Sequence, residues 1–173
     1  MALREFLEDV AQEAGGVAFA LFGGVETERK GDSIVSEADR ATEQLILSRI
    51  QAAYPGEYML AEESGVSGAE PIGDDTRWWA VDPIDGTLAY LSNLPFWAVS
   101  VARMRGGRAE GGAVYIPALG EMYSALAGGP AHRNGAPIDL LPNEPPGDHS
   151  PLFVPCSEIK GLDIRFPGKR LSV

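Results

Sequence analysis

RWWAVDPIDGTLAYLSNLPFWAVSVA, residues 77–102, joins two apolar runs through a segment that carries Asp82 and Asp85 three positions apart. Asp82-Pro83 and Asp85-Gly86 are both ordinary turn dipeptides. Taken alone, the stretch is as well read as a turn closing a strand as two carboxylates aimed at one point. What surrounds it has to decide.

Upstream the apolar period is helical. Leu3, Phe6, Leu7, Val10, Ala14, Val17, Ala18 and Leu21 predict an amphipathic helix over 3–22, stopped by Gly23-Gly24. A second helix is expected from about Ser36 to Tyr54, with Ala38, Ala41, Leu45 and Ile50 on one face and Pro55-Gly56 closing it. Then the period changes. EYMLA (57–61) and RWWAV (77–81) read as buried strands separated by a polar, Gly-rich loop. FWAVSVARM, EGGAVYI and EMYSALA, joined by RGGR and PALG, predict an antiparallel meander, and HRNGAPI adds a hairpin through Asn134-Gly135. LLPNEPPGDHSP reads as a surface connection, LFVPC as a short strand, and GKRLSV as the start of another. Helices followed by many strands give an α+β or layered α/β class, two N-terminal helices on a largely antiparallel sheet, in one domain over 1–173.

Bulk composition narrows the functions. The 173 residues are 45% hydrophobic, enough for one sizeable core. Fourteen basic against 25 acidic residues leave a net charge of −11, which disfavours a nucleic-acid partner and means that an anionic substrate needs a cation as mediator. Cys156 is the single cysteine, so no intramolecular disulfide forms. No apolar run is long enough to span a bilayer and MALREFLEDV is no signal peptide, so a soluble, cytoplasmic protein without a membrane partner is expected.

Acidic residues recur at element boundaries: Asp39 in the first turn of the second helix, Glu62-Glu63 after EYMLA, Asp82 and Asp85 after RWWAV. Each has an ordinary explanation. Ser36-Glu37-Ala38-Asp39 resembles a capping box, Glu62-Glu63 a solvated loop, and Asp82 with Asp85 a turn. Together they suggest more, because carboxylates at the ends of neighbouring strands converge on one crevice and are costly to crowd without a cation. Oxygen ligands suit Mg²⁺; without a His/Cys cluster, Zn²⁺ is poorly supported. Pro83 fixes a bend that lets Asp82, the Ile84 carbonyl and Asp85 face one site. Gly86 permits close approach, and Thr87 offers a hydroxyl and, if a helix starts there, amides for a phosphate. That equipment suits metal-assisted hydrolysis of phosphate esters. The D-x-D-x-T pattern of haloacid-dehalogenase phosphatases does not fit D-x-x-D-G-T, and neither a Walker A loop nor a Ser-His-Asp order is present.

SIVSEADRATEQ (33–44), AEES (61–64) and DPIDGT (82–87), in this order, resemble the inositol monophosphatase family of Mg²⁺-dependent, lithium-sensitive phosphatases, as do LPFWAVSVA, GGAVYIPALGEMYSA and HRNG further on. The resemblance implies the N-terminal part of an αβαβα sandwich. It implies that Glu62, Asp82 and the Ile84 carbonyl hold one Mg²⁺ and that Asp82 and Asp85 hold a second. Thr87 paired with Asp39 matches the dyad that orients and deprotonates the attacking water, Glu63 matches a helper acting through water, and Gly86 and Thr87 match the amides that hold the phosphate. In-line attack on a small phosphate ester such as inositol 1-phosphate, with no phospho-enzyme, is the implied reaction. Related substrates are 3′(2′),5′-bisphosphate nucleotides, sugar phosphates and histidinol phosphate.

The sequence departs from the family in two places. Leu88-Ala89-Tyr90 stands where members carry a T-x-N-F-like stretch with an asparagine. The family's W-D-x-A-A/G motif, whose aspartate completes the second metal site, is missing: none of Trp78, Trp79 and Trp97 precedes an Asp. The chain therefore resembles the metal-motif-bearing part of the fold. A catalytically incomplete, metal-binding or self-associating module stands beside the enzyme reading, and an open sheet edge makes a homodimer the expected form. His132, His149 and the Arg103-Arg105-Arg108 cluster are expected at the surface, and Cys156 as a small buried hydrophobe.

Overall fold

The structure, a computed structural model, describes residues 1–24, 27–30, 33–68, 75–138, 163–166 and 169–172. Its contacts divide the chain into two units, Met1–Asp139 and Leu140–Val173.

The first unit begins with α1 (Leu3–Leu21), which buries Phe6, Leu7, Val10, Ala11, Ala14, Gly15 and Ala18 along one face. Gly15 belongs to that face because α1 passes so close to the sheet that a Cβ there would lie 2.4 Å from the Tyr115 ring. A hairpin follows, β1 (Thr27–Lys30) with β2 (Ser33–Ser36), running directly into α2 (Glu37–Ala53). The helix is where the sequence places it, but its buried face differs: Ala38, Asp39, Thr42, Glu43, Ile46 and Ile50 point inward, whereas Ala41 and Leu45 are half-exposed. Two carboxylates thus lie on the side of α2 that packing would reserve for apolar groups.

Next come β3 (Tyr58–Ala61), β4 (Gly65–Ser67), β5 (Arg77–Asp85), the short α3 (Thr87–Leu91), β6 (Ala98–Arg105), β7 (Arg108–Ile116), β8 (Glu121–Leu126), β9 (Ala131–Arg133) and β10 (Ala136–Pro137). They form one sheet in the order β10-β9-β8-β7-β6-β5-β3-β4. Only β3 and β5 run parallel; every other pairing is antiparallel, as the meander predicts. The α+β class with two helices on a largely antiparallel sheet is what the structure shows.

The main core lies between helices and sheet. Phe6, Leu7 and Val10 of α1 and Ile46 and Ile50 of α2 meet Met59, Trp79, Val81, Val99, Val101 and Ala113. Each large side chain fully removed from water contributes about 2–3 kcal/mol. Strand alternation turns Trp79 and Val81 toward the helices and leaves Ala80 and Asp82 on the opposite face.

Three expectations need correction. Arg103 is no surface residue: its guanidinium lies 4.6 Å from the Tyr54 ring centre and 5.6 Å from that of Trp79, and it is ion-paired with Glu57. Glu57 also accepts from Trp79 Nε1 at 2.7 Å, which explains how a charge is tolerated beside the core. His132 sits in β9, half-buried, with Nδ1 out of solvent and without a hydrogen-bond partner among the described residues. And β4, a strand, occupies part of the loop expected after EYMLA.

In the second unit the described residues are a hairpin, β11 (Asp163–Phe166) with β12 (Lys169–Ser172). The latter lies within the GKRLSV stretch expected to begin a strand. The LFVPC strand, Cys156 and His149 fall outside the described residues, as do residues 139–162 of the single domain expected over 1–173. Among the described residues no helix is long and apolar enough to cross a membrane.

Candidate functional site

The DPID segment is not a turn that ends a strand. β5 runs on through it, paired with β6 at Asp82↔Ser100 and Asp85↔Ala98, with a register shift between the two aspartates. Pro83, which lacks an N–H, is tolerated at such an irregularity. Three steps on β5 face two on β6, and this one extra residue lets Asp82 and Asp85 leave the strand differently from the strict alternation of the preceding positions.

Asp82 opens into a cleft of about 540 Å³ on the sheet face turned from the helices, lined by Leu60, Glu62, Gly65, Ala80, Ser100 and Ala102. Two chain segments bring Glu62 and Asp82 together. β3 and β5 are parallel neighbours with Ala61 opposite Val81, so their C-terminal ends coincide, and the Glu62 amide continues the ladder to the Val81 carbonyl at 3.2 Å. The Asp82 carboxyl is pushed up to about 8, first by burial, then by a hydrogen bond with Glu62 and the negative charges of Glu62 and Asp85; a backbone bond from Ile84 works the other way. Its Oδ1 is buried and has no hydrogen-bond partner among the described residues.

Behind the strand, Ile84 is fixed by packing. Its side chain lies in a second cluster with Ala18, Ala38, Tyr90 and Trp97, drawn from all three helices and the chain entering β6. Its carbonyl accepts from the Thr87 hydroxyl at 3.1 Å. Gly86 caps α3 with φ +94°, and a Cβ there would lie 2.9 Å from the Phe96 carbonyl. Glycine is required on both counts. Tyr90 is buried, donates to the Ala18 carbonyl at 2.7 Å, and is pushed up to about 12 by burial and by the negative charge of Asp39. Asp39, only 1% exposed, is thus held at the start of α2 within electrostatic reach of α3, the helix that begins with Thr87. Tyr90, in the stretch where the sequence departs from the family pattern, serves the core.

The expected site residues therefore separate into groups. Glu62 and Asp82 share one cleft, with Asp85 close enough for its charge to act on Asp82. Ile84, Gly86 and Thr87 form the turn beside them, and Asp39 approaches α3 from the helix side. Glu63 is placed elsewhere: it lines a cavity of about 640 Å³ on the α2 side with Glu43, Gln44 and Met59. The residue missed by sequence reading is Glu43, whose carboxylate accepts from the amides of Glu63 at 2.8 Å and Ser64 at 2.9 Å. Its signal was its place four residues after Asp39, in line with Ile46 and Ile50.

The donor set can be tested against a cation. Among the described residues, no group of three or more His, Cys, Asp or Glu side chains is arranged to hold a metal unaided. An unpartnered buried carboxylate oxygen on Asp82, an adjacent Glu62 and the negative charge of Asp85 nevertheless fit a hard divalent cation that completes its shell with water and substrate oxygens.

Comparison with known proteins identifies relatives of the fold. The model of the inositol monophosphatase family matches residues 2–160. An inositol-1-monophosphatase of Mesorhizobium japonicum is 37% identical over 77% of this chain and 50% of its own length. A histidinol-phosphatase of Chlorobaculum parvum is 34% identical over 76% of this chain and 51% of its own. The crystal structure of the extragenic suppressor protein suhB from Bartonella henselae superposes with a TM-score of 0.71 at 32% identity, over 79% of this chain and 54% of that one. The chain spans about half the length of the curated relatives it matches.

Proposed function

This chain belongs to the inositol monophosphatase family, and on that premise we propose that it serves a Mg²⁺-dependent phosphomonoesterase acting on a small phosphate ester. The observation that carries the reading is the cleft in which Glu62 abuts Asp82, with Asp82 Oδ1 buried and unpartnered among the described residues. Hydrogen bonds of neutral groups would satisfy such an oxygen in a purely structural turn.

In this reading Glu62, Asp82, Asp85 and the Ile84 carbonyl hold the cation. When bound, it supplies charge neutralisation for the phosphate and lowers the pKa of water. The chain's residues do the rest. The Thr87 hydroxyl, anchored now on the Ile84 carbonyl, and Asp39 hold and remove the proton of the attacking water. Gly86 and Thr87 place amides toward the phosphate at the start of α3. Glu63, which lines the other cavity, is given no part in the chemistry. Inositol 1-phosphate and histidinol phosphate are the first substrates to try, since two relatives are named for such esters. Lithium inhibition, a cytoplasmic homodimer, and no nucleic-acid or membrane partner complete the proposal.

A second reading has an observation in its favour. The carboxylates among the described residues do not close around a metal unaided, and the chain spans half the length of its relatives. A metal-binding module that lacks turnover by itself fits both facts.

Phosphate release by the purified 173-residue chain separates the two readings. The panel is inositol 1-phosphate, histidinol phosphate and adenosine 3′,5′-bisphosphate, with and without Mg²⁺, and with Asp82→Asn as control. Mg²⁺-dependent release lost in Asp82→Asn supports the enzyme. Mg²⁺ binding without release from any ester supports the module.

A further inference from the structure

Glu43 is a carboxylate only 3% exposed, in the middle of a helix face that otherwise packs through Ala38, Ile46 and Ile50. Burying it is unfavourable unless its oxygens are satisfied. They are satisfied by two consecutive backbone amides: Oε2 receives the Glu63 N–H at 2.8 Å and Oε1 the Ser64 N–H at 2.9 Å. Those amides belong to the turn between β3 and β4, and Glu62 is the first residue of that turn. On the other face of the sheet, the Glu62 side chain lines the cleft beside Asp82.

We propose that Glu43 is a positioning residue of the cation cleft: it grips the turn from the α2 side and so fixes where Glu62 is held against Asp82. The proposal rests on the reading of Glu62 and Asp82 as cation ligands. Glu43 touches neither cation nor substrate. It acts through one peptide unit, because locking the 63 and 64 amides sets the backbone that carries the Glu62 side chain. Geometry explains why this position is glutamate. Two N–H donors one residue apart need two acceptor oxygens on one planar group. A glutamine offers one oxygen and turns its NH₂ toward the second N–H. An aspartate keeps the charge and is one methylene short. A further consequence concerns α2 as a whole. Asp39 and Glu43 stand four residues apart, one helical turn, on its buried face. One rigid helix therefore sets both the carboxylate facing α3 and the turn carrying Glu62. Residues that orient metal ligands typically alter affinity 10–100-fold when mutated.

The test uses the full chain and Mn²⁺ as probe, with free Mn²⁺ read by electron paramagnetic resonance and unfolding followed in urea. Glu43→Gln is expected to raise the Mn²⁺ dissociation constant tenfold or more while circular dichroism stays that of a folded protein. Glu43→Asp, which keeps the negative charge, is expected to weaken binding too, and this separates geometry from loss of charge. It also serves as the milder variant should Gln fail to fold. Thr42→Val, the neighbouring buried position whose hydroxyl has no partner among the described residues, is expected to leave Mn²⁺ affinity unchanged. Lower stability with wild-type Mn²⁺ affinity in the Glu43 variants overturns the positioning role and leaves Glu62 and Asp82 as ligands. Absence of Mn²⁺ binding by the wild-type chain overturns the ligand assignment itself, and this inference with it.

Discussion

In protein stripped of divalent cations with EDTA, Asp82→Asn is predicted to stabilise the fold, and to do so increasingly as pH rises. The Asp82 carboxyl stands at about 8, against 3.8 for the free side chain, because burial, Glu62 and Asp85 all oppose its charge. The folded chain therefore binds this proton more tightly than the unfolded chain. Stability from this source is fully present below about pH 4 and is lost as pH rises through about 8. A shift of about four units corresponds nominally to about 6 kcal/mol. Asp82 is only half-buried, and water screens much of that, so about 1–2 kcal/mol is the expected difference between variant and wild type at pH 8.5. Asparagine does not titrate, so the difference should vanish near pH 4. Urea unfolding at pH 4, 6 and 8.5 reads it directly, comparing the two proteins at each pH. Adding Mg²⁺ to 100 times its dissociation constant should return about 2.7 kcal/mol to the wild type alone and reverse the order. A variant-to-wild-type difference that does not change between pH 4 and 8.5 would refute the crowding argument. A difference that grows with pH but resists Mg²⁺ would leave the crowding intact and remove the cation from the site.

Other consequences are open to simpler measurements. Gly86→Ala forces a Cβ into the left-handed region and against the Phe96 carbonyl, and should lower stability by about 1–3 kcal/mol in urea unfolding, with loss of Mg²⁺-dependent phosphate release. Arg103→Lys keeps the charge but loses the forked contact with Glu57 and the stacking on Tyr54 and Trp79; a loss of about 1–2 kcal/mol is expected, seen as a lower thermal midpoint with Mn²⁺ affinity intact.

The sequence by itself determined the element types and the class. A 3.6-residue period wrote both long helices, and alternation with RGGR, PALG and Asn134-Gly135 wrote the meander, because these signals are local and each is repeated several times. The β1–β2 hairpin went unread since Thr-Glu-Arg-Lys has no apolar period to mark a strand. The motif residues Glu62, Asp82 and Asp85 were legible from type and spacing. Tertiary structure decided how they meet. The parallel pairing of β3 with β5 puts Glu62 beside Asp82 across residues far apart in the chain, and the irregular register after Asp82 carries Asp85 into range. It also assigned Glu63 to the opposite side and gave Glu43 its two amides. Those choices depend on which backbone donors a buried carboxylate finds from another element, and no pattern within one helix or one strand specifies them.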